Sequence, residues 1–455
     1  MSGNRYRRLP TLVIALVAAA CAYVDLDLRL WRERDRVIEW DVHSYYAYLP
    51  AVFIYDDIEL EKSDYRFDGD YYLFWPSTTE RGTRVIKTTM GLAVLYSPFF
   101  FLGHGLAHLT GAPPNGWSPP YKGALIIGGL FYLVLGLHLT RRILERAGFT
   151  PGIIALTLLT IGAGTNLFCY ASQSASMSHV HSFFLLALFV HLTTRWYERT
   201  TLWRTVALGV CMGLIALVRP TNCIVGLFFV LHGIDGMSAA RQRVRLFLQR
   251  WPHLLLLLLL AAAVWVPQLL YWRSLTGSYF FNPYIGERFF FDRPKLLEGL
   301  FGFRKGWLIY TPLMGFSVAG LFFMNGTLRS YRAGVTVFLA LTVYTTFSWW
   351  CWWYGGSFGQ RSMVDGYALL ALPMAASFRC IWSAGTAVRT FLLPVIGAGI
   401  GLNIFQTYQF EEGSLHSDSM SKELYFRQFG RMDKVNDFDR LLVPPDYERA
   451  RLTGR

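Results

Sequence analysis

Eleven mostly apolar stretches, at roughly 9–27, 121–140, 151–170, 181–196, 203–218, 220–236, 252–272, 307–325, 333–351, 364–380 and 387–407, constrain this chain more than any other feature. Each approaches the length of about 20 residues that a helix needs to cross a bilayer. The 455 residues are 53% hydrophobic and 16% charged, against about 25% charged in soluble domains. So much apolar surface cannot be hidden inside a water-soluble fold of this length, and the composition also excludes disordered and collagen-like chains. The expectation is an all-α polytopic membrane protein of about eleven transmembrane helices. The basic N-terminus (Arg5, Arg7, Arg8) followed by the apolar run Leu9–Val24 resembles the first two parts of a signal peptide. No small-residue cleavage site precedes Asp25 and Asp27, so this run is read as an uncleaved first span.

The apolar run Gly91–Leu109 fits either a twelfth span or a helix lying at the interface, and loop charge discriminates. With eleven spans and a cytoplasmic N-terminus, one side receives 17 of the 43 basic residues, including Arg141, Arg142, Arg146, Arg241, Arg243, Arg245 and Arg250. It receives only three acids, Glu145, Glu198 and Asp235, so the positive excess gathers on the cytoplasmic side. A twelfth span at 91–109 would move the Arg141–Arg146 cluster to the other side. Pro98, His104 and His108 within the run also suit an interfacial helix. The net charge of +13 is therefore topological, and a nucleic-acid partner is not expected. This organisation gives a transmembrane domain over 1–407, a large first outer loop over 28–120 with interfacial helices, and a polar outer-side tail over 408–455. The six cysteines form no CxxC pair, so neither a zinc site nor a disulfide framework is indicated.

Candidate chemistry lies at the outer ends of the spans. Asp41 opens an aromatic amphipathic stretch ending at Tyr55, which would hold a carboxylate near the bundle mouth as a general base. The alternative for Asp41 is a helix N-cap. Asp68-Gly69-Asp70 has the DxD form of a metal-holding pair, but a glycine turn with flanking acids is the commoner case. Lys87, Arg219, Arg304 (beside Lys305) and Arg361 are cations on the side where the charge bias disfavours them. Together they suit a lipid-linked phosphate, which arginine grips with two parallel hydrogen bonds. Singly, each suits snorkelling toward headgroups. His179 and His181 form an HxH pair with no obvious third metal ligand.

These motifs, in this order, resemble a bacterial member of the GT-C glycosyltransferase superfamily, whose relatives include the protein O-mannosyltransferases (glycosyltransferase family 39) and the lipid A aminoarabinose transferases. The similar segments are Asp41 with Tyr45-Tyr46-Ala47-Tyr48-Leu49-Pro50, Lys87…Gly91…Tyr96-Ser97-Pro98-Phe99-Phe100, and Met177-Ser178-His179. Arg219-Pro220-Thr221-Asn222, Gly306-Trp307-Leu308-Ile309-Tyr310-Thr311-Pro312 and Gly359-Gln360-Arg361 complete the set. The resemblance implies an inner-membrane enzyme that moves a sugar from a polyprenyl-phosphate donor to a lipid, glycan or protein acceptor at an outward-facing site. Asp41 matches the catalytic acid, and Arg219, Arg361, Lys87 and Arg304 are the expected phosphate ligands. Tyr45, Tyr46, His179, Tyr310 and Gln360 are the expected substrate contacts. Many relatives carry an adjacent acidic pair where Trp40 and Val42 flank a single Asp41 here, so a divalent metal cofactor is without support from these residues. Trp349, Trp350, Trp352 and Trp353 read either as the wall of a groove for the donor's lipid tail or as an interfacial aromatic belt. The rival classes are a secondary transporter, disfavoured by the absence of an internal repeat, and a non-catalytic lipid-binding or assembly protein of the cell envelope.

Overall fold

A computed structural model describes residues 3–61 and 76–454. The protein is a helical membrane bundle; among the described residues the only strands form a two-stranded hairpin, Ser77–Thr78 with Arg84–Val85. In chain order the helices are α1 (Gly3–Leu28), α2 (Trp40–Tyr46), α3 (Tyr48–Phe53), α4 (Gly91–Thr110) and α5 (Pro119–Arg146). There follow α6 (Pro151–Ala163), α7 (Leu167–Ser172), α8 (Ser178–Glu198), α9 (Leu202–Val218), α10 (Gly226–Leu231), α11 (Met237–Gln249) and α12 (Trp251–Thr276). The last are α13 (Leu296–Phe301), α14 (Trp307–Tyr310), α15 (Gly315–Gly320), α16 (Arg329–Ser348), α17 (Tyr367–Ser383), α18 (Thr386–Glu411), α19 (Lys422–Gln428) and α20 (Tyr447–Thr453). Asp68-Gly69-Asp70 lies outside the described residues.

Six helical stretches among the described residues are long and apolar enough to cross a membrane: those within α1, α4, α5, α12, α17 with its lead-in turn, and α18. Several apolar runs are not single rods. The run at 151–170 breaks into α6 and α7 around Gly164, where an added Cβ would meet Leu313, Ile400 and the Thr160 carbonyl. The run at 220–236 becomes a 3-10 turn, Pro220–Val225, and the six-residue α10, because Pro220 ends α9. The run at 307–325 divides into α14, a 3-10 turn, α15 and a further 3-10 turn.

Close glycine contacts fix the direction of packing. On α5, Gly129 meets Ala175 and Gly136 meets Phe183, so α5 and α8 run parallel and begin at the same end. On α9, Gly209 meets Leu257 and Gly213 meets Val264, so α9 and α12 are parallel as well. The short connection from α8 to α9 then brings the end of α9 back to the start of α8. The helix α4 touches Leu217 at the end of α9 through Gly91, and Tyr121 in the first turn of α5 through Gly103. Phe99 meets Gly128 and the Tyr132 hydroxyl bonds the Leu95 carbonyl, so this 20-residue helix runs antiparallel beside the first half of α5, and it is long and apolar enough to cross a membrane. The end at which α5 and α8 finish collects the basic residues of the α5–α6, α8–α9 and α11–α12 connections, with Arg141 bonded to Thr11. The helix α17 sits at the centre, buried on every side from Tyr367 to Phe378.

Candidate active site

Three segments far apart in sequence meet where α9 ends, α8 begins and α17 is entered. Val218 closes α9, and Pro220 cannot continue it, which leaves Arg219 extended at the cap position. Met177 leads into α8, so His179 stands in its first turn. The 3-10 turn Arg361–Gly366 feeds directly into α17 and supplies Arg361, Ser362 and Asp365.

Asp365 is the hub. Its carboxylate, 2% exposed, lies 2.9 Å from His179 Nδ1, 2.9 Å from Asn222 Nδ2 and 3.4 Å from Arg219 Nη1. Arg219 Nη1 is also 3.1 Å from His179 Nδ1, and its Nη2 is 3.3 Å from Ser362 Oγ. An Nδ1 that gives its proton to the carboxylate cannot also accept from arginine, so Asp365 is the acceptor that His179 and Arg219 share. An unpaired charge buried at this depth would be costly, and the arrangement neutralises Arg219 in place.

The second arm is Asp41. The cap position of α2 is Glu39, not Asp41, which sits in the first turn with its Oδ2 2.9 Å from Arg361 Nη2. The Asp41 side chain is 45% exposed whereas that of Arg361 is 17% exposed, so the carboxylate faces the open side of the pair. Tyr45, one turn further along α2, stands near Ser178 and within electrostatic reach of Asp41, Arg219 and Arg361, linking the two arms. Burial pushes the Tyr45 hydroxyl above its ordinary value; Asp41 adds to the rise while Arg219 and Arg361 oppose it. Val37, Trp40 and Tyr354 carry positive φ angles of 74°, 50° and 56°. Such backbone costs about 1–3 kcal/mol per residue and persists only where the surroundings enforce it. Val37 and Trp40 lie within four residues of Asp41, and Tyr354 lines the recess beside Arg219.

The Arg361 loop is locked from behind. Asn166 donates to the carbonyls of Phe358 (3.3 Å) and Gln360 (3.2 Å), and Tyr170 receives the Phe358 amide at 3.0 Å. Gly359 has φ +56°, and a Cβ there would lie 2.9 Å from Tyr310 Cβ, so a side chain is excluded by both conformation and space. Gln360 turns inward and donates to the Trp352 carbonyl at 2.8 Å.

Lys87 approaches from the first loop, its Nζ 2.5 Å from Glu287 Oε1 and 5.0 Å from the centre of the Tyr284 ring. Trp350 Nε1 donates to the other Glu287 oxygen at 2.9 Å. Tyr284 senses Asp41, Tyr45 and Arg219 electrostatically, which ties Lys87 to the same end. A narrow recess, about large enough for one water, opens beside Arg219, lined by Thr221, Asn222, Thr342, Thr346, Tyr354 and Ser362.

Asp41, Tyr45, Lys87, His179, Arg219 and Arg361 are thus brought to one place. Arg304, Tyr46, Tyr310 and Gln360 are engaged elsewhere. Arg304 donates to the Asp418 carbonyl at 2.6 Å and lies over Trp353, holding the tail. The Tyr46 hydroxyl gives its proton to the Gly116 carbonyl at 2.6 Å, inside an aromatic group with Tyr96 and Trp117. The Tyr310 hydroxyl bonds the Phe303 carbonyl at 2.5 Å beneath Tyr425. Lys305 is buried and bonded to the Ser357 and Ser417 carbonyls; burial holds its ammonium well below the ordinary lysine value. Asp365, Ser362, Tyr354 and Glu287 escaped the sequence reading. Asp365, the one acid in the run 364–380, carried a usable signal, since charges placed inside apolar spans are rare and paired.

The two histidines of the HxH pair diverge: His181 Nδ1 goes to the Met177 carbonyl at 3.0 Å, away from the Asp365 cluster. Among the described residues no three histidine, cysteine or acidic side chains are grouped as metal ligands. No protein-family model matches the chain, and no curated protein sequence matches it either.

Proposed function

We propose that this protein is a GT-C-like membrane glycosyltransferase that moves a sugar from a polyprenyl-phosphate donor to a hydroxyl or amine of a lipid, glycan or protein acceptor. The observation that carries the reading is the half-exposed Asp41 carboxylate held against Arg361, beside a buried Arg219, at the end of the bundle opposite the basic loops. A base and two guanidinium groups at one end of the bundle suit a reaction that removes a proton from one substrate and releases an anion from the other.

In this mechanism Asp41 takes the acceptor's proton as the acceptor oxygen or nitrogen bonds to the anomeric carbon. The bond from that carbon to the phosphate oxygen breaks, and its electron pair leaves on polyprenyl phosphate. Arg361 turns from Asp41 to the departing phosphate, while Arg219 and Lys87, paired with Asp365 and Glu287, offer N–H donors to its oxygens. Single displacement inverts the anomeric carbon, and Asp41 returns its proton to water. The positive-inside rule supports a cytoplasmic basic end and an outward-facing site, and this reading takes the membrane to be a bacterial inner membrane.

The test is transfer of radiolabelled sugar from a panel of polyprenyl-phosphate sugars to endogenous acceptors, in membranes carrying the wild type or Asp41→Asn. The expected loss is about 10²–10⁴-fold, the usual contribution of a positioned base. Equal transfer by both proteins would remove Asp41 from the mechanism. The buried Asp365–Arg219–His179 cluster also suits a proton-coupled transporter; substrate flux into sealed vesicles without any lipid-linked donor would favour that reading.

A further inference from the structure

Near the end of α4 two histidines, His104 and His108, stand one helical turn apart on the same face of the helix. Their Nε2 atoms are 3.3 Å apart while their ring centres are 4.7 Å apart, so the rings converge through their Nε2 ends. A tetrahedral zinc ion with bonds of about 2.0–2.1 Å holds two nitrogen ligands about 3.3–3.4 Å from one another. We propose that His104 and His108 form a two-ligand site for a borderline divalent cation of the zinc class. This proposal stands apart from the glycosyltransferase reading and uses none of its residues.

The surroundings are those of a ligand rather than of a loose surface side chain. His104 Nδ1 is 2.5 Å from the Tyr121 hydroxyl, which belongs to the first turn of α5 and is fully buried. In the tautomer that carries its proton on Nδ1, that proton goes to the Tyr121 oxygen and the Nε2 lone pair is turned toward His108, the usual arrangement behind a metal-bound imidazole. Phe100 stacks on the other side of the His104 ring, with 14° between planes, and restricts its rotation. Gly103 seats this part of α4 directly on the Tyr121 backbone, so the helix cannot drift from its partner. His108 is exposed and His104 half-buried, which leaves the remaining coordination positions to water or to a headgroup phosphate. Without metal, the same geometry is a single proton shared between two imidazoles.

The contrast with His179 and His181 supports the assignment. There the spacing is also suggestive, yet one ring serves Asp365 and the other a backbone carbonyl. On α4, by contrast, the two ring nitrogens face each other at 3.3 Å.

The experiment titrates the purified full-length protein in nanodiscs with Zn²⁺ against a chromophoric chelator, with Co²⁺ absorption as a second readout. The wild type is expected to bind one Zn²⁺. Both His104→Ala and His108→Ala should weaken binding by more than about 100-fold, and Tyr121→Phe by about 10-fold, the range for a lost orienting partner. His108→Ala removes an exposed ring and tests the site without disturbing packing, while His416→Ala should bind as the wild type does. Wild-type binding no tighter than about 1 mM, or binding unchanged by His108→Ala, would overturn the proposal and leave the shared proton as the pair's only role.

Discussion

Asp365→Asn removes one charge and almost no volume, so its effect isolates the electrostatics of the buried cluster. Asp365 is 2% exposed, and the Arg219 side chain it neutralises is 16% exposed, so solvent screens neither partner well. Removing one member of such a pair costs about 3–5 kcal/mol, because the other charge stays buried and uncompensated. Asparagine keeps one acceptor oxygen for His179 or Asn222, which points to the lower bound, about 3 kcal/mol. That is roughly a 100-fold fall in the folded-to-unfolded ratio, a large share of the margin of an ordinary domain. The assay is the unfolding midpoint of the detergent-solubilised protein followed by tryptophan fluorescence, for the wild type, Asp365→Asn, Arg219→Gln and the double variant. The double variant has no orphaned charge and should be more stable than the sum of the single losses predicts, with a coupling of about 1–3 kcal/mol. An unchanged midpoint in Asp365→Asn, or strictly additive losses, would refute the view that Asp365 exists to neutralise Arg219.

Three further outcomes are expected. Burial beside Trp117 pushes the His43 imidazole down to about 3 from an ordinary 6.5; between those values the unfolded chain binds a proton that the folded one refuses. The stability contributed by neutral His43 is therefore complete above about pH 6.5 and is lost as pH falls toward 3, and His43→Phe should flatten the fall of the unfolding midpoint between pH 6 and 4; parallel pH profiles would argue against it. Arg361→Lys keeps the charge near Asp41 but loses the planar fork, and transfer activity should drop by about 100-fold; full activity would mean that no bidentate phosphate contact is made there. Gly320→Ala should destabilise by at least about 1–3 kcal/mol, since its Cβ would fall 1.8 Å from the Pro373 carbonyl oxygen of the central helix; a wild-type yield and unfolding midpoint would show that α15 and α17 separate freely.

Read alone, the residues already imply a multi-pass helical membrane protein and which loops share an end of it. Apolar runs near 20 residues and a one-sided distribution of arginine are local properties, and lipid leaves a chain of that kind few alternatives to the helix. The sequence also pointed to Arg219, Arg361 and Lys87, because cations on the side that the charge bias disfavours stand out without any knowledge of packing, and to Asp41 through the aromatic amphipathic stretch it opens. Helix integrity was less legible. The runs at 151–170, 220–236 and 307–325 are as apolar as their neighbours, and they break only where contacts from other helices, such as Leu313 against Gly164, or a proline such as Pro220, demand it.

Tertiary structure alone decided what the charges do. Asp41 and Arg361 are 320 positions apart, and their pairing follows from the 3-10 entry to α17 meeting the first turn of α2. Arg304 sits beside Lys305 and reads from sequence as another phosphate ligand, yet the folded tail offers it the Asp418 carbonyl. Tyr45 and Tyr46 are neighbours in sequence, but helical geometry turns Tyr45 toward Arg219 and Tyr46 toward Gly116. The same rule separates His179 from His181 and unites His104 with His108: residues two apart on a helix diverge, and residues four apart share a face.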